Sequence, residues 1–207
     1  MKTEVKIDWL KYENEAKADG FNIVCGIDEA GRGPLAGPVC AAAVILPDGC
    51  IIDGVNDSKK LTEKKREQLF EVIKETAVAY SIATADEKEI DEINILQATY
   101  LAMNRAFNGL KIKPDMALVD GNRDPNLGIP TRTIVKGDAN SMSIAAASIL
   151  AKVTRDRFML EMDKKYPEYQ FAKHKGYGTK LHYEMLDKYG ASEIHRMSFL
   201  RKYYENK

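Results

Sequence analysis

The stretch Asn22-Ile-Val-Cys-Gly-Ile-Asp28-Glu29 constrains the fold more than any other part of the chain. An apolar run of strand length ends on two adjacent carboxylates, and Gly31, Arg32, Gly33 and Pro34 follow closely. Such a run reads as a buried strand, and ionised side chains at its lip are costly unless a cation meets them. On this stretch alone a metal ion and a plain ion pair with Arg32 are both open. A second apolar run, Val39-Cys-Ala-Ala-Ala-Val-Ile-Leu46, comes soon after. Two strands so close in sequence predict an antiparallel pair joined by the loop that carries Gly31, Arg32 and Gly33.

The rest of the chain alternates. Val5, Trp9, Tyr12 and Ala16 recur at helical spacing before Gly20, predicting a helix over 3–18. Thr62 caps a helix to about Thr76 with Leu69, Val72 and Ile73 on its apolar side. Residues 77–85 read as a third strand, 86–91 as one helical turn, and 93–110 as a helix with Leu96, Tyr100, Met103 and Phe107 on its face. Met116–Asp120 is a fourth strand and 131–136 a fifth, ending at Gly137 and Asp138. A long helix follows over about 139–164, with Ala145, Ala146, Ala147 and Ser148 small enough to let it lie close on a sheet. Beyond Tyr166 and Pro167 come a basic loop over 173–179 and a helix over about 180–189. The prediction is α/β: a mixed five-stranded sheet flanked by helices on both faces, with a small C-terminal helical region. A single domain over 1–207 follows, with an N-terminal helix (1–20), a core (22–165) and a C-terminal region (166–207).

Composition excludes several classes. No apolar run approaches the roughly 20 residues of a membrane span, and the charged start Met1-Lys-Thr-Glu-Val-Lys6 predicts a cytoplasmic protein without a targeting peptide. Cys25, Cys40 and Cys50 have no CxxC pairing, so they read as small buried hydrophobes. His174, His182 and His195 lie apart in sequence without zinc-ligand spacing. The 31 basic and 31 acidic residues cancel, but Lys173–Lys207 is locally basic. A polyanion would meet the C-terminal part of the chain.

Asp28, Glu29, Asp120 and Asp138 each end an apolar strand or open the element that follows. If the first and fourth strands are parallel neighbours, Asp28 and Asp120 come together and Asp138 closes the cluster. Gathered carboxylates repel unless divalent cations neutralise them, and hard oxygen donors point to Mg²⁺ or Mn²⁺. Simpler readings stand beside these: Asp138 as a helix N-cap, Asp120 as a turn residue, Arg32 in a tight loop before Pro34, and Lys59 in a solvated basic loop. Tyr177, between two glycines on a basic loop, suits stacking on a sugar or base.

Several motifs together resemble bacterial ribonuclease HII. They are Asp28-Glu-Ala-Gly-Arg-Gly-Pro34, Asp57-Ser-Lys-Lys-Leu61, Leu118-Val-Asp-Gly-Asn122, Lys136-Gly-Asp-Ala139, the run from Ser143 to Asp156, and Lys175-Gly-Tyr-Gly-Thr179. The resemblance implies a ribonuclease H-like fold and a type 2 ribonuclease H that cuts the RNA strand of RNA/DNA hybrids. It also implies incision on the 5′ side of single ribonucleotides in duplex DNA, leaving 3′-hydroxyl and 5′-phosphate ends, with service in replication and ribonucleotide excision repair. Asp28, Glu29, Asp120 and Asp138 match the family's catalytic carboxylates, which hold two divalent ions, Mg²⁺ or Mn²⁺. Gly31, Arg32 and Gly33 match the segment that reads the ribose 2′-hydroxyl, Tyr177 the tyrosine on the following sugar, and Lys59 a backbone-contacting lysine. A monomer is implied. The related ribonuclease HIII type usually carries an extra N-terminal domain and lacks an arginine at the position of Arg32. The tail Met197-Ser-Phe-Leu-Arg-Lys-Tyr-Tyr204 partly resembles a sliding-clamp peptide but lacks its leading glutamine, so packing of Phe199 and Leu200 on the domain is the expected role.

Overall fold

The computed structural model describes residues 7–205. Five strands form one sheet: β1 (Val24–Ala30), β2 (Val39–Ile45), β3 (Ala79–Ala85), β4 (Met116–Asp120) and β5 (Thr131–Ile134), in the order β3-β2-β1-β4-β5. β1–β2 and β2–β3 are antiparallel, while β1–β4 and β4–β5 are parallel. The sheet is therefore mixed, as the two closely spaced apolar runs and the later strand–helix alternation require.

Seven helices surround it among the described residues: α1 (Lys11–Ala18), α2 (Glu63–Thr76), α3 (Glu87–Asn108), α4 (Met142–Lys165), α5 (Phe171–His174), α6 (Lys180–Tyr189) and α7 (Met197–Glu205). The two-residue period of the central strands divides their side chains between two covered faces. Cys25, Ile27, Ala41 and Ala43 pack with Ala102, Met103 and Phe107 of α3. Cys40, Ala42 and Val44 pack with Ala145, Ala146, Ile149 and Leu150 of α4, and with Leu69, Phe70 and Ile73 of α2. The closeness of α4 to the sheet has a specific cause. A Cβ on Gly26 would lie 2.2 Å from the Ser143 carbonyl carbon and 2.4 Å from the Ile144 nitrogen, so only glycine lets the start of α4 rest on β1.

Several sequence expectations need correction. The first helix begins at Lys11, residues 7–10 of the expected helix being non-helical, and residues 3–6, Val5 among them, lie outside the described residues. The buried face of α2 is Leu69, Phe70 and Ile73, whereas Val72 is exposed. The predicted turn at 86–91 and helix from 93 run on as α3, opened by an Asp86–Glu89 capping box and kinked where Asn94 takes φ 67°. β5 stops at Ile134, leaving Val135 exposed. Residues 137–139 form a 3₁₀ turn, and α4 starts at Met142 with Ser141 as its N-cap, the Ser141 hydroxyl accepting from the Ile144 N–H. Cys25 and Cys40 are buried free thiols, as read from the sequence, whereas Cys50, also read as buried, is only half-buried. The C-terminal helices gather on Phe171, Leu186, Ile194 and Leu200 beside Met159 of α4. Leu200 is buried and Phe199 packs on the same cluster.

Candidate active site

Strand register brings the acids together. Ile27 pairs with Val119 across the parallel β1–β4 ladder, so Asp28 and Asp120 are the next residue on each strand, at the carboxyl end where open α/β sheets place their sites. Asp138 arrives on the 3₁₀ turn after β5, which is anchored to β4 because the Gly137 N–H donates to Asp120 Oδ1 at 2.7 Å. The N-cap reading of Asp138 fails, since Ser141 holds that position. Asp28 and Asp138 are 4% and 6% exposed, which is unusual for aspartates unless something compensates their charge.

All four carboxyls are held above their ordinary pKa. Burial is the main cause at Asp28, followed by repulsion from Glu29 and Asp120. Burial also raises Glu29, against the pull of Arg32, whose Nη1 lies 3.5 Å from Glu29 Oε1. At Asp120 burial outweighs the amides of Gly137 and Asp138. At Asp138 burial is joined by repulsion from Asp120 and Asp57. Lys59 Nζ stands 3.7 Å from Asp138 Oδ2; burial lowers its pKa, but Asp138, Asp28, Asp57 and Asp120 outweigh that and raise it. Asp57 is thus a fifth acid of the cluster, to which sequence reading attached no role. Its Oδ1 caps the 3₁₀ turn Ser58–Lys60 through the Lys59 N–H, and Ser58 Oγ meets Ser148 Oγ of α4 at 2.8 Å.

Glu29, Gly31, Arg32, Gly33, Lys59 and Tyr177 line one groove of about 210 Å³, with Ser148 and Lys152 on its α4 wall. Every residue singled out for substrate contact therefore shares a surface with Glu29. The groove lip is held from beneath by two buried arginines. Arg196 donates to the carbonyls of Gly31 (2.6 Å), Arg32 (3.0 Å) and Gly37 (2.8 Å). Arg155 donates to those of Ala36, Pro38 and Lys175, each at 3.0 Å. Gly31 takes φ +96°, and a Cβ there would lie 2.1 Å from Arg155 Nε, so glycine is needed twice over. The Arg155 guanidinium carbon lies 6.0 Å from the Tyr177 ring centroid, and Tyr177 is 45% exposed, so its ring is no part of the core. Lys152 borders the groove with its Nζ 2.6 Å from Asp156 Oδ1. Arg155 and Lys152 fall inside the Ser143–Asp156 motif; Lys152 finds its partner there, but no local signal shows that those of Arg155 come from other parts of the chain.

Among the described residues no three His, Cys, Asp or Glu side chains are already gathered tightly enough to enclose an ion. The nearest cationic partners of the acids are Lys59, Arg32 and, at Asp57, Lys60. Five carboxylates against three such cations leave an excess of negative charge on hard oxygen donors, the donor chemistry that suits a divalent cation.

The sheet order and connectivity are those of the ribonuclease H-like fold, and the chain is a nuclease of the type 2 ribonuclease H class. A family model described as Ribonuclease HII matches residues 25–202. A ribonuclease HII of Caldicellulosiruptor bescii is 59% identical over 194 residues, spanning 94% of each chain. The crystal structure of the ribonuclease H2 from Pyrococcus horikoshii aligns with a TM-score of 0.75 at 32% identity, covering 89% of this chain and 98% of that one. The ribonuclease HII in a complex with PCNA from Archaeoglobus fulgidus aligns at 0.69 and 27% identity, covering 85% and 94%. The chain belongs to the ribonuclease HII family. It is accordingly an endoribonuclease that acts on RNA/DNA hybrids. No helix among the described residues is long and apolar enough to cross a membrane.

Proposed function

We propose that this protein incises on the 5′ side of single ribonucleotides embedded in duplex DNA as well as within RNA/DNA hybrids, leaving 3′-hydroxyl and 5′-phosphate ends. The observation that carries the reading is the coincidence of the buried acid cluster with the groove of Gly31, Arg32, Gly33 and Tyr177. Asp28, Glu29, Asp120 and Asp138 would hold two divalent ions, Mg²⁺ or Mn²⁺, which when bound supply an activated water and neutralise charge at the leaving oxygen.

The chain's own groups do the rest. With the Gly31 and Arg32 carbonyls turned onto Arg196, the loop meets a ribose as a fixed backbone surface, preorganised before substrate arrives. Tyr177 offers a rigid ring to the sugar beyond the ribonucleotide, where a missing 2′-hydroxyl marks the junction with DNA. Lys59, poised above the acids, contacts a backbone phosphate. Residues 22–165 supply the acids and 166–207 the tyrosine loop, so both parts of a single monomeric domain are needed for selective cutting. These chemistries suit ribonucleotide excision repair in the cytoplasm. A sliding-clamp contact through the tail would use exposed Met197, Arg201 and Tyr204, because Leu200 is buried.

The test is a duplex carrying one ribonucleotide, incubated with Mg²⁺ or with chelator. A nick on the 5′ side with Mg²⁺ alone, whose 3′ end a polymerase extends, is the expected result. Absence of that nick, with hybrid cutting retained, would overturn the single-ribonucleotide reading.

A further inference from the structure

The three histidines, 8 and 13 residues apart in sequence, meet in the C-terminal core behind the Tyr177 loop. The His174 and His182 rings stack with centroids 4.3 Å apart, and His182 Nε2 lies 2.9 Å from His195 Nε2. All three are buried, and none takes part in the chemistry above. We propose that His195 and His182 form a hydrogen-bond relay of fixed direction, which with His174 positions the Tyr177 loop against the groove. It rests on the reading of Tyr177 as the junction-sensing residue.

The direction follows from the backbone groups at either end. The Ser192 N–H donates to His195 Nδ1 at 2.9 Å, so that nitrogen carries a lone pair and the ring proton sits on Nε2. His195 Nε2–H then donates to His182 Nε2, which leaves the His182 proton on Nδ1 to donate to the Tyr177 carbonyl at 3.0 Å. Separately, the Gly176 N–H donates to His174 Nδ1 at 3.2 Å, and His174 Nε2–H donates to the Tyr169 carbonyl at 2.9 Å. This one set of tautomers satisfies every contact. The opposite tautomer of His182 would set two N–H groups face to face and turn a lone pair on the Tyr177 carbonyl. A proton added to His182 would have the same effect at the shared contact, one added to His195 would go to Nδ1 and face the Ser192 N–H, and burial holds both rings well below their ordinary pKa, at about 4.

The loop needs such support. Lys175 (φ 49°) and Gly176 (φ +84°) are consecutive left-handed residues, the first of them not a glycine. Arg155 holds the Lys175 carbonyl, His174 the Gly176 amide and His182 the Tyr177 carbonyl. Three successive residues are thus gripped from the buried side, leaving the Tyr177 ring as the part presented outward. These histidines are positioning residues: they reach substrate only through Tyr177.

Long-range ¹H–¹⁵N spectra of the imidazoles in the intact protein at pH 7.5 test the relay directly. The expected pattern is His182 protonated on Nδ1 and both His174 and His195 on Nε2. His182 protonated on Nε2 would overturn the proposal, whatever the mutants do. For function, His182→Leu removes the donor at similar volume, whereas His182→Asn can place an amide N–H where Nδ1 stood. We expect His182→Leu to lower cutting at a single ribonucleotide relative to cutting in a long RNA tract by about fivefold to tenfold, the worth of one hydrogen bond. His182→Asn should restore the ratio to within about twofold of the native protein, the residual reflecting its lost contact to His195. Equal ratios for the two variants would sink the positioning role. Tyr177→Ala serves as the separate control: an unchanged ratio there, with the native tautomers intact, refutes the reading of Tyr177 and not the relay.

Discussion

Acidification should erode the stability of the histidine cluster, by an amount that can be worked from its two linked rings. His182 and His195 are buried and fall from 6.5 to about 4 in the folded protein. Between those values the unfolded chain binds protons that the folded one refuses, so stability is full above pH 6.5, declines as pH falls, and levels off below about 4. A shift of that size is worth at most about 3 kcal/mol for one ring. The rings share a hydrogen bond, so the values belong to the pair and the second ring adds less than the first. The acid cluster has the opposite sign. The carboxyls of Asp28, Glu29, Asp120 and Asp138 are raised on folding, so protonating them relieves repulsion and adds stability as pH falls through their folded values. Asp163 also faces His174 and partly offsets the effect of burial there. A difference measurement separates these contributions. Urea unfolding followed by circular dichroism, run on native protein and His182→Asn at pH 7.5, 6.5, 5.5 and 4.5, cancels the acids that both proteins share. The native protein should lose about 2–3 kcal/mol relative to the variant between the two ends of that range. A flat difference curve would show that His182 keeps its unfolded pKa in the fold and would overturn this prediction.

Three further outcomes can be checked. Asp120→Asn keeps an oxygen to accept the Gly137 N–H but removes a charge from the cluster, so hybrid cutting should fall by about a hundredfold or more while circular dichroism stays native; undiminished turnover would remove Asp120 from the site. Tyr177→Ala should cost about tenfold or more in kcat/KM at a single ribonucleotide, the stacking contribution of one aromatic, with a smaller loss in a long RNA tract. Gly26→Ala drives a methyl group into the backbone of Ser143 and Ile144 and should destabilise the fold by about 3 kcal/mol or more in urea titration, whereas the same change at Gly49, where a Cβ meets nothing within 4 Å but φ is +66°, should cost only the left-handed backbone strain of about 1–2 kcal/mol.

Elements whose signals are local can be read without the fold. Strands β1, β2 and β4 were legible because each is a short apolar run buried on both faces, and α2 because Thr62 caps it with a side chain three residues from its partner Lys65. The sequence also showed acids at strand ends, since an ionised group closing an apolar run stands out without any knowledge of the fold. What those acids meet depends on long-range register and packing. The register that sets Ile27 against Val119 joins residues with no local relation, and Asp57 enters the cluster from a loop that reads simply as polar. Asp138 was freed from capping because the chain makes a further turn before Ser141, a difference of a few residues that helical periodicity does not resolve. The buried arginines and histidines were the least legible. Arg155 and Arg196 serve carbonyls more than a hundred residues away, and His182 meets His195 across a helix and a loop. Hydrogen bonds of that kind follow from where the backbone goes, and a side chain's identity does not announce them.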